Sequence, residues 1–365
     1  MRILYMTKEN PTNTLGHAPE RARQFILELR NHGHEVQSIF PSDKNDGGLP
    51  SFRTYGEKIL GLFNSYHERR AGAAFSSALQ KLAEQGKFDL IVAEELSSAI
   101  LALKGKSKRT PPIIYIAHNV ESDLYQQITG SKLIEKVRTG NLIRTEAWVL
   151  KQADLVFSFS IEDQKKLQIL SERNDIYLTR AGVSLPESQS ITAKNDKILF
   201  VGALDYFPNI QGLQWYAKNV HPLIKIKYRM IVVGRNPGSL VKAICEENKF
   251  DLISSPPQLD SILRQGALEV VPLLSGSGTR GKILEAAAYG IPVIATTLGA
   301  QGLGFKDGET IVIADTAEQF AAEVEKYLSN SNQRTEIANA ALVYVQKFSY
   351  KAVVADFLSD VSKFK

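Results

Sequence analysis

The chain of 365 residues has one cysteine, Cys245. A single thiol forms no intramolecular disulfide, so the sequence is not a disulfide-stapled secreted scaffold and suits a reducing cytosol. No apolar run approaches the ~20 residues of a spanning helix, and Arg2-Ile3-Leu4-Tyr5-Met6 is too short for a signal-peptide core. The expectation is a cytoplasmic protein, soluble or peripheral on the inner face of the plasma membrane. Asp-x-Asp, a common divalent-metal chelator beside phosphates, is absent from the sequence, as is any zinc-ligand spacing. Metal: none expected. The turn after the first strand lacks Gly-x-Gly-x-x-Gly, which argues against a dinucleotide cofactor. The net charge of +5 is too small to argue for nucleic acid.

The remainder is an ordinary globular composition, 44% hydrophobic and 23% charged, long enough that two domains are favoured over one. Its organising stretch runs from Glu269 to Gly299. Residues 269–274 read as a buried strand and its exit at Pro272. Ser275-Gly276-Ser277-Gly278-Thr279 follows, a small-residue loop whose backbone N–H groups can approach a ligand closely. Residues 282–289 read as a helix with Gly290 at its C′ position, and 293–297 as the next strand. Strand, glycine loop and helix N-terminus make an anion site, to which Arg280 and Lys282 add charge, and diphosphate suits it best. Glu285 lies roughly 7 Å along the helix axis from its start, about the reach from a nucleotide's phosphates to its ribose. The plain alternative for Glu285 is an i,i+3 pair with Lys282.

Before this stretch the chain alternates strands and helices. Residues 3–7 open into a polar loop holding Gly16 and His17, at what would be a sheet's carboxyl edge. Pro19 fits the first turn of a helix carrying Phe25, Leu27 and Leu29. Residues 50–85 read as mostly helical, with Ile59, Leu60, Phe63 and Tyr66 on one stripe beside Lys58, Arg69 and Arg70. Residues 113–117 are strand-like and end at His118. A basic amphipathic stretch, 132–151, contains Arg144 and Glu146. Either basic stretch is a plain core-packing helix or a membrane-surface helix. The polar run 184–195 is the expected linker. Residues 197–202 open a second alternation, with Gly202, Asp205 and Asn209 in its first loop. Gly234-Arg235-Asn236-Pro237 is a second carboxyl-edge loop, with Arg235 placed to lie beside a nucleotide base.

Pro272-Leu273-Leu274-Ser275-Gly276-Ser277-Gly278-Thr279-Arg280-Gly281-Lys282-Ile283-Leu284-Glu285-Ala286 resembles the donor-site signature of the retaining family 4 glycosyltransferases. More narrowly it is similar to bacterial exopolysaccharide sugar transferases, which share a G-x-x-D-Y-x-P-N segment, here 202–209. The resemblance covers essentially the whole chain. It implies an α/β GT-B fold, two Rossmann-like doubly wound domains facing an interdomain cleft. The expected divisions are 1–186 for the acceptor side, 187–346 for the donor side and 347–365 for a helix crossing back. In that family an acidic pair with seven residues between its members is usual. Glu285 matches its ribose-binding member, whereas Ser277 stands where the sugar-contacting Glu would be. The resemblance also makes His118, in a His-Asn-x-Glu segment, a cleft residue and a catalytic candidate. It implies transfer of a hexose from a nucleotide-sugar donor to a glycan or lipid-linked acceptor, with an anionic membrane surface as a candidate partner. The expected chemistry is charge stabilisation by Arg280, Lys282 and the N–H groups of Gly278 and Thr279. The readings weighed against it are an inactive GT-B scaffold and a nucleotide-sugar epimerase.

Overall fold

Short β-branched runs, each followed by a helical segment, fold into two parallel sheets because parallel strands need helical crossovers between them. The structure, a computed structural model, describes residues 1–7, 17–39, 82, 88–129, 133–187, 196–276 and 280–364. The apolar stripe within 50–85, most of the linker, Gly16, Ser277, Gly278 and Thr279 all lie outside them.

Contacts divide the chain into two units. One contains Met1–Ala181 and Val353–Lys365, the other Gly182–Gly276 and Arg280–Ala352. Among the described residues the first unit's sheet has six parallel strands: β1 (Arg2–Met6), β2 (Glu35–Ile39), β3 (Leu90–Glu94), β4 (Ile113–Ala117), β5 (Leu155–Ser158) and β6 (Ile176–Leu178), in the order β2-β1-β3-β4-β5-β6. The second unit's sheet contains β7 (Lys197–Val201), β8 (Arg229–Gly234), β9 (Asp251–Ser254), β10 (Leu268–Val271), β11 (Val293–Ala295) and β12 (Val312–Ile313), in the order β12-β11-β10-β7-β8-β9. Each is a doubly wound sheet. In the second, the strand order reverses between β7 and β10, and ligands of such sheets bind outside the carboxyl ends of the strands at that reversal.

Strands β1, β3 and β4 are buried on both faces, as near-continuous apolar runs in parallel sheets should be. Helix His17–Asn31 buries Phe25 and Leu29 against one face, but Leu27 points outward and is 47% exposed. The last helix, Tyr350–Phe364, sends Val353, Val354, Phe357 and Val361 into the same cluster as Tyr5, Phe25 and Phe157. Phe357 meets Phe25 edge-on, with ring centroids 5.1 Å apart. The expected strand 293–297 is shorter, ending at Ala295. Thr296 Oγ1 instead accepts from the Gly299 N–H and caps a one-turn helix, Thr297–Ala300, a competition that Thr side chains often win at such ends.

Phe357→Ala should therefore destabilise the first unit by about 3–5 kcal/mol, the usual cost of a Phe-sized core cavity. Urea denaturation, with β-sheet signal and proteolysis of 1–181 followed together, measures this.

Candidate donor site in the second unit

The site is built where β7 and β10 end. Strand β10 stops at Val271 because Pro272 has no N–H for the ladder, and helix Gly281–Ala288 begins just beyond. That helix closes as the sequence implies. Gly290 has φ +69°, the Gly290 N–H donates to Ala287 and the Ile291 N–H to Ala286 at 2.9 Å, a Schellman close with Ile291 buried behind it.

Lys282 lies in the first turn and does not pair with Glu285. Its Nζ donates to Asn209 Oδ1 at 2.7 Å, and lies 5.4 Å from the Phe200 ring centroid. Asn209, from helix Phe207–Trp215, donates in turn from Nδ2 to the Ala203 carbonyl at 2.9 Å. These two heads occupy the space beside Gly202. A Cβ there would lie 2.7 Å from Asn209 Nδ2 and 2.8 Å from Lys282 Nζ. The neighbouring loop is equally close, since a Cβ on Gly234 would be 1.7 Å from the Gly202 carbonyl oxygen. Asn209 closes the quoted G-x-x-D-Y-x-P-N segment but was missed as a site residue. The signal was available, because an Asn at a helix's start opposite a half-buried Lys is a natural partner.

Arg280, only 7% exposed, immediately precedes the helix. Burial pushes the Lys282 ammonium down to about 8, opposed by the attraction of Glu269 and assisted by repulsion from Arg280. Glu285, partly buried, lies four residues beyond Gly281, about 6 Å along the axis. Asp205 is exposed and accepts from Asn236 Nδ2 at 2.9 Å. The Arg235 carbonyl accepts from the Leu204 N–H at 2.9 Å, so the loops after β7 and β8 are tied to each other. Gly202, Asp205, Arg235, Arg280, Lys282 and Glu285 thus gather at the carboxyl ends of β7, β8 and β10.

The first unit carries its own polar cluster. His118, just after β4, donates from Nε2 to Glu94 at 3.2 Å, and its Nδ1 is 3.8 Å from Glu95 Oε1. Glu94 also pairs with Arg21, both side chains being 1% exposed. The Arg21 guanidinium stacks between Phe25 and Phe159, at 4.9 and 4.6 Å. Glu95 has φ +66°, a left-handed conformation that costs a residue with a side chain. His17 begins the helix after β1. Glu146, expected within a basic stretch, is fully buried. It accepts from the Glu121 and Ser122 N–H groups at 2.8 and 3.1 Å and from Ser122 Oγ at 2.6 Å, holding the helix that follows His118.

Comparison with known proteins accords with both halves. Residues 20–183 match the profile described as Glycosyltransferase Family 4, and residues 195–330 that of Glycosyl transferases group 1. The chain belongs to glycosyltransferase family 4. A Klebsiella pneumoniae "uncharacterized 44.6 kDa protein in cps region" is 33% identical over 165 residues, which are 42% of each chain. The chain spans less than half the length of the curated relatives it matches. Among solved structures, sucrose-phosphate synthase from Thermosynechococcus elongatus superposes with a TM-score of 0.80 at 15% identity, covering 99% of this chain and 98% of its own. Anabaena HepE, solved in complex with UDP and glucose, has a TM-score of 0.73 at 15% identity, with 100% of both chains covered. At that identity the likeness is one of fold, the GT-B pair of doubly wound domains.

Burial pushes the Glu146 carboxyl up to about 7 from 4.5, against the hydrogen bonds that pull it down. The folded protein then binds more protons than the unfolded chain between those values, so this residue's contribution to stability falls as pH rises from about 4.5 to 7. Its full extent is about 3 kcal/mol. Glu146→Gln should flatten that part of the profile, read from urea midpoints at pH 5 and 7.5.

Proposed function

We propose that this protein is a retaining hexosyltransferase. It takes the sugar of a nucleoside diphosphate donor to a hydroxyl of a glycolipid or growing polysaccharide in surface or exopolysaccharide synthesis. The observation that carries the reading is the convergence of Lys282, Arg280 and Gly202 where the strand order reverses, on a helix N-terminus that favours anions. Two cations and that terminus stabilise charge developing on the β-phosphate as the sugar leaves, which is the hard step of the reaction. The cations stand where a metal ion would otherwise be needed, so the chemistry is metal-independent. Gly278 and Thr279 supply loop N–H groups in this scheme, and Glu285 accepts from the ribose hydroxyls. Arg235 and Asp205 flank the base-side loops, and Ser277 marks the departure from the acidic pair. His118, fixed by Glu94, is kept as a catalytic candidate, and Gly16 and His17 as acceptor-loop candidates, on family resemblance. Retention rests on family kinship. The cps-region name of the Klebsiella relative and the UDP and glucose of HepE support the surface-glycan reading and the nucleotide donor.

The acceptor side has a surface consistent with a lipid-linked substrate. Helix Leu133–Gln152 buries Leu142, Glu146, Val149 and Leu150. Its outer stripe presents Val137, Asn141, Arg144, Trp148 and Lys151 at i, i+4, i+7, i+11 and i+14, all exposed. Apolar Val137 and Trp148 beside cationic heads match an anionic membrane surface. No described helix is long and apolar enough to cross a membrane.

A panel of nucleotide sugars tested for slow hydrolysis identifies the donor, and an inactive scaffold would turn none over. Lys282→Met should cost about 100-fold or more in kcat with a smaller change in KM, and Glu285→Gln about tenfold in nucleotide affinity. Turnover should persist in excess chelator. Co-sedimentation should favour anionic over neutral vesicles, weaken with salt, and disappear in Arg144→Glu/Trp148→Ala with nucleotide affinity unchanged.

A further inference from the structure

His118 stands between two carboxylates, one at each ring nitrogen. Nε2 lies 3.2 Å from Glu94 Oε1, and Nδ1 lies 3.8 Å from Glu95 Oε1. The two acids differ in their surroundings. Glu94 ends β3, is withdrawn from water and pairs with Arg21, so that pair carries almost no net charge towards the imidazole. Glu95 opens helix Glu95–Lys104 and is partly exposed. It sits within ion-pair range of the ring but beyond hydrogen-bond length. Its backbone has φ +66°, which glycine adopts freely and glutamate does not. The strain falls at the end of β3, where the order of the first sheet reverses between β1 and β3. Ligands of doubly wound sheets bind at that place, and strained residues gather at binding sites. Of the acids on neighbouring elements, Glu121 accepts from Asn119 Nδ2, and Glu146 from the Glu121 and Ser122 N–H groups. Asp163 is buried in the first turn of the helix that follows Phe159. A neutral imidazole has one N–H and one lone pair. Between two carboxylates it must turn the lone pair towards one of them, a repulsive contact, whereas an imidazolium answers both.

We infer that Glu95 is a positioning residue whose left-handed backbone brings its carboxylate to Nδ1 and keeps His118 doubly protonated, so that the ring works as a donor and not as a base. The inference rests on the reading of His118 as a catalytic residue. Labour is divided between the two acids. Glu94, neutralised by Arg21, fixes the direction of the ring through Nε2, and Glu95 sets its charge. An imidazolium cannot take the proton of an acceptor hydroxyl. It can stabilise negative charge, or give a hydrogen bond to an oxygen of a sugar or phosphate. Replacing Glu95 by a neutral residue leaves the ring in place but lets it lose its second proton at a lower pH.

The test compares the wild type with Glu95→Gln and with Glu95→Gly, the second chosen because glycine accepts the left-handed backbone and so folds even if the first does not. The Cε1–H resonance of His118, assigned by its absence in His118→Gln, is followed between pH 5 and 9. Its midpoint should lie above the ordinary histidine value of about 6.5 in the wild type, and about one pH unit or more lower in either variant. A midpoint that does not move between wild type and variants overturns the proposal, as does a wild-type midpoint below about 6.5. The rate is read as hydrolysis of whichever nucleotide sugar the donor panel identifies. In the wild type kcat should fall as pH rises through the His118 midpoint, and in Glu95→Gln the fall should begin about one unit earlier, with KM for the donor changed less than about threefold at pH 6. A rate that instead rises through that midpoint makes His118 a base and overturns the proposal. If His118→Gln keeps the wild-type kcat, the catalytic reading of His118 fails and takes the role of Glu95 in turnover with it. If His118→Gln is inactive while the midpoint stays fixed in both Glu95 variants, only the role of Glu95 fails.

Discussion

The second unit is arranged around one contact, the 2.7 Å hydrogen bond from Lys282 to Asn209. A lysine head withdrawn from water needs a partner, and this requirement propagates. Asn209 must sit at the start of its helix, which sets the loop from β7. The space beside that loop is then filled, so position 202 has no room for a side chain. The neighbouring β8 loop comes within backbone distance of it, excluding a side chain at 234 as well. Two strand-end loops and two helix starts are thereby held in one geometry with no bound ligand required. Preorganisation of this kind is what an electrostatic site needs, since donors that must be rearranged during reaction lose much of their worth.

Much of this was legible in the sequence, and the parts that were share a property: they are local. The Schellman close at Gly290 and the exit of β10 at Pro272 each follow from a few adjacent residues. The doubly wound class followed from alternation, and the signature between Pro272 and Ala286 carried the family. What the sequence hid is long-range. Lys282 and Asn209 are 73 residues apart, and nothing in the spacing Lys282-x-x-Glu285 reveals that the lysine's hydrogen bond goes to Asn209. Glu269 was read only as the first residue of an apolar run. Alternation places one residue in two on each face, but it does not tell which face closes completely. Thr297 illustrates the local failure. β-branched residues favour a strand, yet the hydroxyl of Thr296 found a backbone donor three residues on.

The first unit hides its chemistry for the same reason. Arg21, Glu94 and His118 come from a helix and two strand ends far apart in the chain, and meet between two aromatic rings. A buried ion pair contributes little net stability compared with apolar packing. Its evident consequence is orientation. A carboxylate only accepts, so His118 donates from Nε2 to Glu94, and the ring is further fixed by Phe159, 4.9 Å away. Glu146 anchors the segment on the other side of His118 by occupying the N–H groups that open the next helix. A residue lodged in a run of lysines and arginines thus serves the interior.

The helix Tyr350–Phe364 bears on how the protein comes into being. Val353, Val354, Phe357 and Val361 complete a face of the sheet that begins with β1, yet they are translated after every strand of the second unit. Domains usually fold in the order in which they leave the ribosome. Here the earlier unit waits for the later one, its first sheet keeping an uncovered apolar flank while some 170 further residues are added. During that interval the exposed strand face is an obvious target for chaperones. The unit translated first is consequently the last to be finished.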